Sequence, residues 1–224
     1  MTSDNAGVLF DVDGTLTDTT FVHAVCWAEA LRQHGLDVTT ADVHHAIGMS
    51  TEQLLEHLLG EDRDTDADDQ LSAAHGTLYK QSWGRLRPLP GAAELLRACA
   101  SRGLDVVLAS SAAEEELGVL REAIDAEDAI TTATSSSDAE SGKPAPDILQ
   151  TALDRAELDA RRVVFVGDAV WDGHAAQRAG VTFIAVTCGG TPEADLREAG
   201  AVEVWRDPAD LLAHLGESVL GDVH

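Results

Sequence analysis

The sequence predicts an α/β fold: a mostly parallel sheet covered by helices on both faces, with an all-helical insertion. Three observations carry this. Short apolar runs at residues 8–10, 104–109, 163–166 and 181–187 are separated by helical patterns, and strands buried on both faces read as continuous apolar runs. From Pro88 onward strand and helix alternate, the order that builds parallel sheets. Between Asp18 and Arg85, by contrast, the periodicity is helical throughout.

The first strand runs into Asp11, Val12, Asp13, Gly14, Thr15, Leu16, Thr17 and Asp18. Alternate positions of a strand share a face, so Asp11 and Asp13 are expected side by side where the strand runs out. Like charges that close require a metal ion, a cationic side chain or a shared proton. An ordinary acidic turn is the alternative, because Asp-Gly is common turn chemistry. A helix follows over 20–34, with His23, Trp27, Ala30, Leu31 and His34 at helical spacing and Gly35 as its stop. Further helical pieces at 40–47, 51–59 and 69–83 are separated by Gly48 and by the acidic stretch 60–68. This block reads as a cap inserted at 18–85 into a core made of 1–17 and 86–224.

In the second part Pro90 and Gly91 open a helix to Arg102, and the strand 104–109 reaches Ser110 and Ser111. Ser111 and Glu114 have the spacing of a capping box, which would leave Ser110 free to contact something else. A strand at 129–133, a loop at 135–146 and a helix at 147–156 come next. The strand 163–166 ends in Gly167 and Asp168, and a helix continues to Ala179. After the strand 181–187, Thr191 with Pro192 and Asp207 with Pro208 each place a cap residue before proline at a first helical position, with a last strand, 201–205, between them. The whole is a Rossmann-like parallel sheet, and in such sheets ligands bind beyond the carboxyl ends of the strands. Asp11, Asp13, Ser110, Lys143 and Asp168 all fall there, so one cleft can gather them.

The 224 residues suit one domain with an insertion or two small domains. A formal net charge of -25 argues against nucleic acid or anionic membrane as partners. An anionic substrate would need its own local positive charge. The acid excess, with Lys80 and Lys143 as the only lysines, fits a salt-rich interior, where screening acts over about 3 Å at 1 M, or a solubility surplus on an arginine-preferring background. Cys26, Cys99 and Cys188 are odd in number and scattered, which predicts reduced thiols and neither a disulfide framework nor a zinc site. Residues 1–7 have no signal-peptide pattern and no stretch approaches a membrane span, so a cytoplasmic location is expected. No surplus apolar stripe fixes an oligomeric state.

Four motifs in order resemble those of the haloacid dehalogenase superfamily hydrolases, in the branch with a helical cap inserted after the first strand. Asp11 to Thr15 resembles the nucleophile motif, Ser110 the second, Lys143 with Pro144 the third, and Gly167, Asp168 and Asp172 the acidic fourth. The resemblance implies that Asp11 attacks phosphorus and that Asp13 protonates the leaving alcohol, then takes a proton from water. It implies magnesium, held by the Asp11 carboxylate, the Asp13 backbone carbonyl and the Asp168 carboxylate, with Asp172 supporting them from behind. Lys143, the Ser110 hydroxyl and backbone N–H groups near Gly14 and Ser111 would hold the phosphate oxygens. An acid at Asp13, where the dehalogenases have tyrosine and the transport ATPases lysine, points to phosphate esters.

His23 and Trp27, four residues apart, share a helix face. Their place resembles that in capped sugar-phosphate phosphatases and beta-phosphoglucomutase-like proteins, where the equivalent histidine lies near the cleft; the chain as a whole is similar to the phosphoglycolate phosphatase and beta-phosphoglucomutase-like branch. Cap packing is the alternative for both. The mutase-like pattern has arginine where this chain has Thr51, which weakens a mutase reading. Lys80 could supply one cap cation or be a surface lysine. The expected activity is a magnesium-dependent phosphatase acting on a small phosphorylated metabolite such as phosphoglycolate or a sugar phosphate. A sugar phosphomutase, a phosphate-sensing protein of the same fold and a phospho-receiver module are the alternatives.

Overall fold

The computed structural model describes residues 5–223. Strands β1 (Gly7–Phe10), β2 (Asp105–Ala109), β3 (Thr132–Thr134), β4 (Val163–Gly167), β5 (Thr182–Val186) and β6 (Glu203–Trp205) form one sheet in the order β3-β2-β1-β4-β5-β6. Every neighbouring pair is parallel. β1 lies at the centre, where the strand order reverses; Leu9 is level with Val107 on one side and Phe165 on the other. That reversal opens a crevice at the carboxyl ends, directly beyond Phe10.

The helices are α1 (Thr20–Gln33), α2 (Thr40–Ala46), α3 (Thr51–Leu59), α4 (Asp68–Lys80), α5 (Ala92–Ser101), α6 (Glu114–Ile124), α7 (Asp147–Arg155), α8 (Val170–Ala179), α9 (Glu193–Glu198) and α10 (Pro208–Ala213). Side chains alternate across the sheet with the period of a strand. Val8, Phe10, Val106, Leu108, Val164 and Val166 pack with Leu95 of α5, Leu120 of α6 and Leu211 of α10. Leu9, Val107 and Phe165 pack on the opposite face with Leu149 of α7, Ala175 of α8 and Leu196 of α9.

Helices α1 to α4 share an apolar cluster of their own, built on Trp27, Leu31, Val43, Leu54, Leu55 and Leu71. Cys26 of α1 and Tyr79 of α4 instead join the core beneath the sheet's first face, which keys this block to the sheet. The two connections run side by side. Thr17 and Pro88 form an antiparallel bridge, Asp18 N–H donates to the Arg87 carbonyl at 3.0 Å, and Leu89 N–H donates to the Leu16 carbonyl at 2.8 Å. Among the described residues no helix is long and apolar enough to cross a membrane.

Three local expectations are corrected. β1 ends at Phe10 and does not extend to Asp13: the Leu16 and Thr17 N–H groups both turn back onto the Val12 carbonyl, with Gly14 at φ 78°. Asp11 and Asp13 therefore do not share a strand face. Helix α6 starts at Glu114 with no side-chain cap, so Ser111 is not a capping-box residue. The Ser110 hydroxyl, expected to be free, accepts the Ala112 N–H at 3.0 Å, a local turn that delays the helix. Before α9 the extended backbone of Pro192 makes proline itself the cap, with Thr191 one residue outside. Asp207 behaves as expected, accepting the Asp210 N–H at 2.8 Å with Pro208 in the first turn.

Candidate active site

Two clusters of charged side chains begin from the turn that follows β1. The first lies against the sheet. Lys143, in the loop before α7, is fully buried, and its Nζ is 2.5 Å from Asp11 Oδ1 and 2.7 Å from Asp172 Oδ1. Asp172, in the first turn of α8, accepts the backbone N–H groups of Asp168 and Ala169 through Oδ2 at 3.1 and 3.0 Å. Asp168 Oδ1 accepts the Thr15 hydroxyl at 3.1 Å. Carboxylate oxygens of Asp11, Asp168 and Asp172 lie within 4.8 Å of one another.

Three carboxylates facing one ammonium in a dry site carry surplus negative charge, and the acids respond. Burial pushes the Asp11 carboxyl up to about 7 against the pull of Lys143, with Asp172 and Asp13 adding to the rise. Burial, then Asp11 and Asp172, hold Asp168 well above the ordinary carboxylate range. Burial would lower Lys143, but Asp11 and Asp172 raise it past its usual value. A divalent cation suits this donor set. All donors are oxygens, the uncompensated charge is negative, and the wall around Asp168 is kept open by glycine. A Cβ at Gly14 would stand 2.4 Å from Asp168 Oδ2, and one at Gly189 only 1.6 Å.

The second cluster bridges the sheet and the helical block. Thr19 donates its hydroxyl to Asp13 Oδ1 at 2.6 Å. His23 Nε2 lies 3.3 Å from the same oxygen and 3.2 Å from Glu116 Oε1 of α6. Its Nδ1 is 3.1 Å from His75 Nε2. The rings are stacked, His23 on Tyr79 with centroids 3.9 Å apart and Trp27 on His75 at 4.2 Å. Burial disfavours charge on His23, yet its hydrogen bonds to Asp13 and Glu116 raise it to about 9. Burial and the neighbouring His23 charge drop His75 to about 3. His23 is thus the charged ring, donating from Nδ1 to a neutral His75. Burial would raise Asp13, but the His23 hydrogen bond and charge and the Thr19 hydroxyl bring it below its ordinary value.

A cavity of about 600 Å³ opens over both carboxylates, and Asp11, Asp13, His23, Trp27, Lys80 and Ser111 line it. Lys143, Asp168 and Asp172 stand behind Asp11. Ser110 is fully buried, and the Ser111 hydroxyl donates to the Gly48 carbonyl of the helical block at 3.4 Å. The Gly14 N–H, expected among the phosphate donors, donates instead to the Thr17 carbonyl at 2.8 Å. Lys80 is half exposed and paired with Glu115 at 2.7 Å. Sequence reasoning missed Thr15, Thr19, His75, Tyr79 and Glu116. His75 and Tyr79 repeat on α4 the four-residue spacing of His23 and Trp27 on α1, a spacing that ordinary helix packing shares. Glu116 was hidden in a run of three glutamates.

The sequence profile of the haloacid dehalogenase-like hydrolases matches residues 6–180. The chain is 28% identical over 197 residues to a phosphoglycolate phosphatase of Nitrosospira multiformis, covering 85% of this chain and 87% of that one. It is 26% identical over 210 residues to the phosphoglycolate phosphatase of Escherichia coli, covering 83% and 82%. Among solved structures, a hydrolase from Pseudomonas syringae superposes with a TM-score of 0.90 at 31% identity, over 95% of this chain and 99% of that one. The beta-phosphoglucomutase of Clostridium difficile shares the fold, with a TM-score of 0.81 at 18% identity over 95% and 96%. With the profile spanning strands β1 to β4, the helical block and both acidic clusters, this chain belongs to the haloacid dehalogenase-like hydrolases.

Proposed function

We propose that the protein is a magnesium-dependent phosphatase that hydrolyses a small organic phosphate monoester through a phosphate ester of Asp11. The observation that carries this reading is the buried Asp11–Lys143–Asp172 arrangement beyond the central strand, with Asp168 beside it. The phosphoglycolate phosphatase relatives support the same class of ester.

The Asp11 carboxylate attacks phosphorus and the alkoxide leaves, taking a proton from Asp13; water then attacks the same phosphorus, gives its proton to Asp13 and restores Asp11. Lys143 holds Asp11 in place and supplies positive charge to the dry end of the site. Asp13 is drawn in its ionised state, the form that accepts the water proton. His23, 3.3 Å away, pairs with Asp13 in that ionised state between the two steps. Magnesium would be held by the Asp11 and Asp168 carboxylates and the Asp13 carbonyl, with Asp172 orienting Asp168, and would offset charge between nucleophile and phosphate.

In this reading residues 18–85 form the cap and 1–17 with 86–224 the core, and the cap carries His23 to Asp13 and keeps bulk water out. A mutase needs a second phosphate held by cap cations. Lys80 is committed to Glu115, and no arginine lines the cavity among the described residues, which favours the phosphatase. The test is phosphate release from a panel of phosphorylated metabolites with magnesium, beside Asp11→Asn. Release abolished in the variant supports the reading. Isomerised sugar phosphate without release would replace it with the mutase, and binding without turnover with a sensor.

A further inference from the structure

We propose that the substrate's leaving group is an uncharged polyhydroxylated one, a sugar or polyol, and not a carboxylate such as glycolate. This rests on the phosphatase reading and specifies the substrate of that same cavity. Three independent observations point the same way.

The first is charge. Beyond Asp11 and Asp13 the cavity wall carries Glu52, Glu115, Glu116 and Glu140. Its cations are already engaged, Lys80 by Glu115 and His23 by Asp13 and Glu116. A carboxylate on the leaving group would meet a wall on which acids outnumber cations, the arrangement by which sites reject a ligand.

The second is the hydrogen-bonding inventory. Tyr79 Oη, Trp83 Nε1 and Gln53 Oε1 are buried atoms without a protein partner, and all three residues line this cavity. Tyr79 is only 1% exposed. Buried polar groups left unpaired by the protein are met by water or ligand. Trp83 Nε1 can only donate and Gln53 Oε1 can only accept, whereas Tyr79 does either. A carboxylate could satisfy Trp83 but not Gln53, and an ammonium Gln53 but not Trp83. Ligand hydroxyls both donate and accept, so a polyol suits a wall of this mixed donor and acceptor character.

The third is size. A cavity of about 600 Å³ is in the range that encloses a ligand of many heavy atoms. The two carbons of glycolate would leave most of it to water, while a five- or six-carbon polyol fills more of it.

The test uses the full chain with magnesium and compares kcat/KM for ribose 5-phosphate, sorbitol 6-phosphate, 2-phosphoglycolate, phosphoethanolamine and para-nitrophenyl phosphate. The sugar and polyol esters are expected to exceed 2-phosphoglycolate and phosphoethanolamine by about tenfold or more. Tyr79→Phe and Trp83→Phe should each lower the ratio of polyol ester to para-nitrophenyl phosphate by about fivefold, the loss of one neutral hydrogen bond. Gln53→Arg, which brings in an unengaged cation, should shift selectivity towards 2-phosphoglycolate. A wild type that prefers 2-phosphoglycolate or phosphoethanolamine, or ratios unmoved in both Phe variants, overturns the inference while leaving the phosphatase intact. Release from no ester at all, para-nitrophenyl phosphate included, removes both.

Discussion

Asp11 and Asp13 stand two residues apart in one turn, yet they belong to clusters of opposite construction. The Asp11 side chain is held from the end of the sheet: by Lys143 in the loop before α7 directly, with Asp168 after β4 and Asp172 in the first turn of α8 alongside. Asp13 is held by Thr19 at the start of the helical block and by His23 within it, and Glu116 completes the cluster from the sheet side. One ammonium divided among three buried acids leaves Asp11 raised, whereas one imidazolium and a hydroxyl suffice to lower Asp13. The two carboxylates are tuned apart by their partners, since both are deeply placed. The tuning of Asp13 also depends on the helical block being in position.

The sharpest way to break this comparison is to neutralise each acid in turn. Asp11→Asn should cost on the order of 10⁴-fold or more in phosphate release, as for a nucleophile. It should also stabilise the metal-free protein at neutral pH, because one surplus buried charge is gone. Asp13→Asn should lose about 10²–10⁴-fold in rate, and it should destabilise by about 1–3 kcal/mol, since His23 keeps its charge and loses a partner. Urea unfolding without metal reads both signs; destabilisation of equal size in the two variants would end the distinction.

Removing a cation comes next. Lys143→Met leaves its buried carboxylates uncompensated and should lower stability by about 3–5 kcal/mol. Magnesium should restore more stability to this variant than to wild type, measured as the shift in urea midpoint. A variant as stable as wild type without metal would mean that the carboxylates were already protonated.

The pH dependence separates the clusters further. His23 is raised from 6.5 to about 9 in the folded chain, so its contribution is complete below pH 6.5 and lost as pH climbs through 9. The loss amounts to roughly 3 kcal/mol at most. Asp11, raised from 3.8 to about 7, takes stability away over the lower window between those values. Magnesium should suppress the Asp11 window and spare the His23 window, while His23→Gln should flatten only the latter. The smallest effect belongs to Lys80. Its pair with Glu115 is open to solvent, and Lys80→Ala should change stability by less than about 0.5 kcal/mol. His23→Ala should reduce turnover more than Lys80→Ala does.

The sheet was legible because its strands are short, apolar and separated by helical periodicity, and Lys143 because lysine is so scarce in this chain. Asp168 and Asp172 were legible by their place after the apolar run that became β4. What escaped was contact between elements. His75 and Tyr79 look like ordinary packing on α4, and only the fold brings them onto His23. The separation of Asp11 from Asp13 escaped for a different reason. Strand periodicity holds to Phe10 and fails over the next three residues, in a turn closed by two N–H groups on the Val12 carbonyl. Ser110 and Ser111 differ from expectation in their bonds: the Ser110 hydroxyl is taken by a local turn at Ala112, and the Ser111 hydroxyl by the Gly48 carbonyl of the helical block, a contact that only the fold creates.

The paired connections at Thr17 and Pro88 have an architectural consequence. Antiparallel segments need only a two-residue turn to join them, so the path of the chain through these connections sets no length for what is spliced between residues 18 and 87. A short hairpin, this four-helix block or a larger unit would all find the same pair of docking ends. The parallel sheet and its Lys143 cluster can stay fixed while the spliced piece is exchanged, and with it the walls that meet the rest of the substrate. Asp13, which takes Thr19 and His23 from the spliced piece, is the point at which that piece and the sheet are bound to each other.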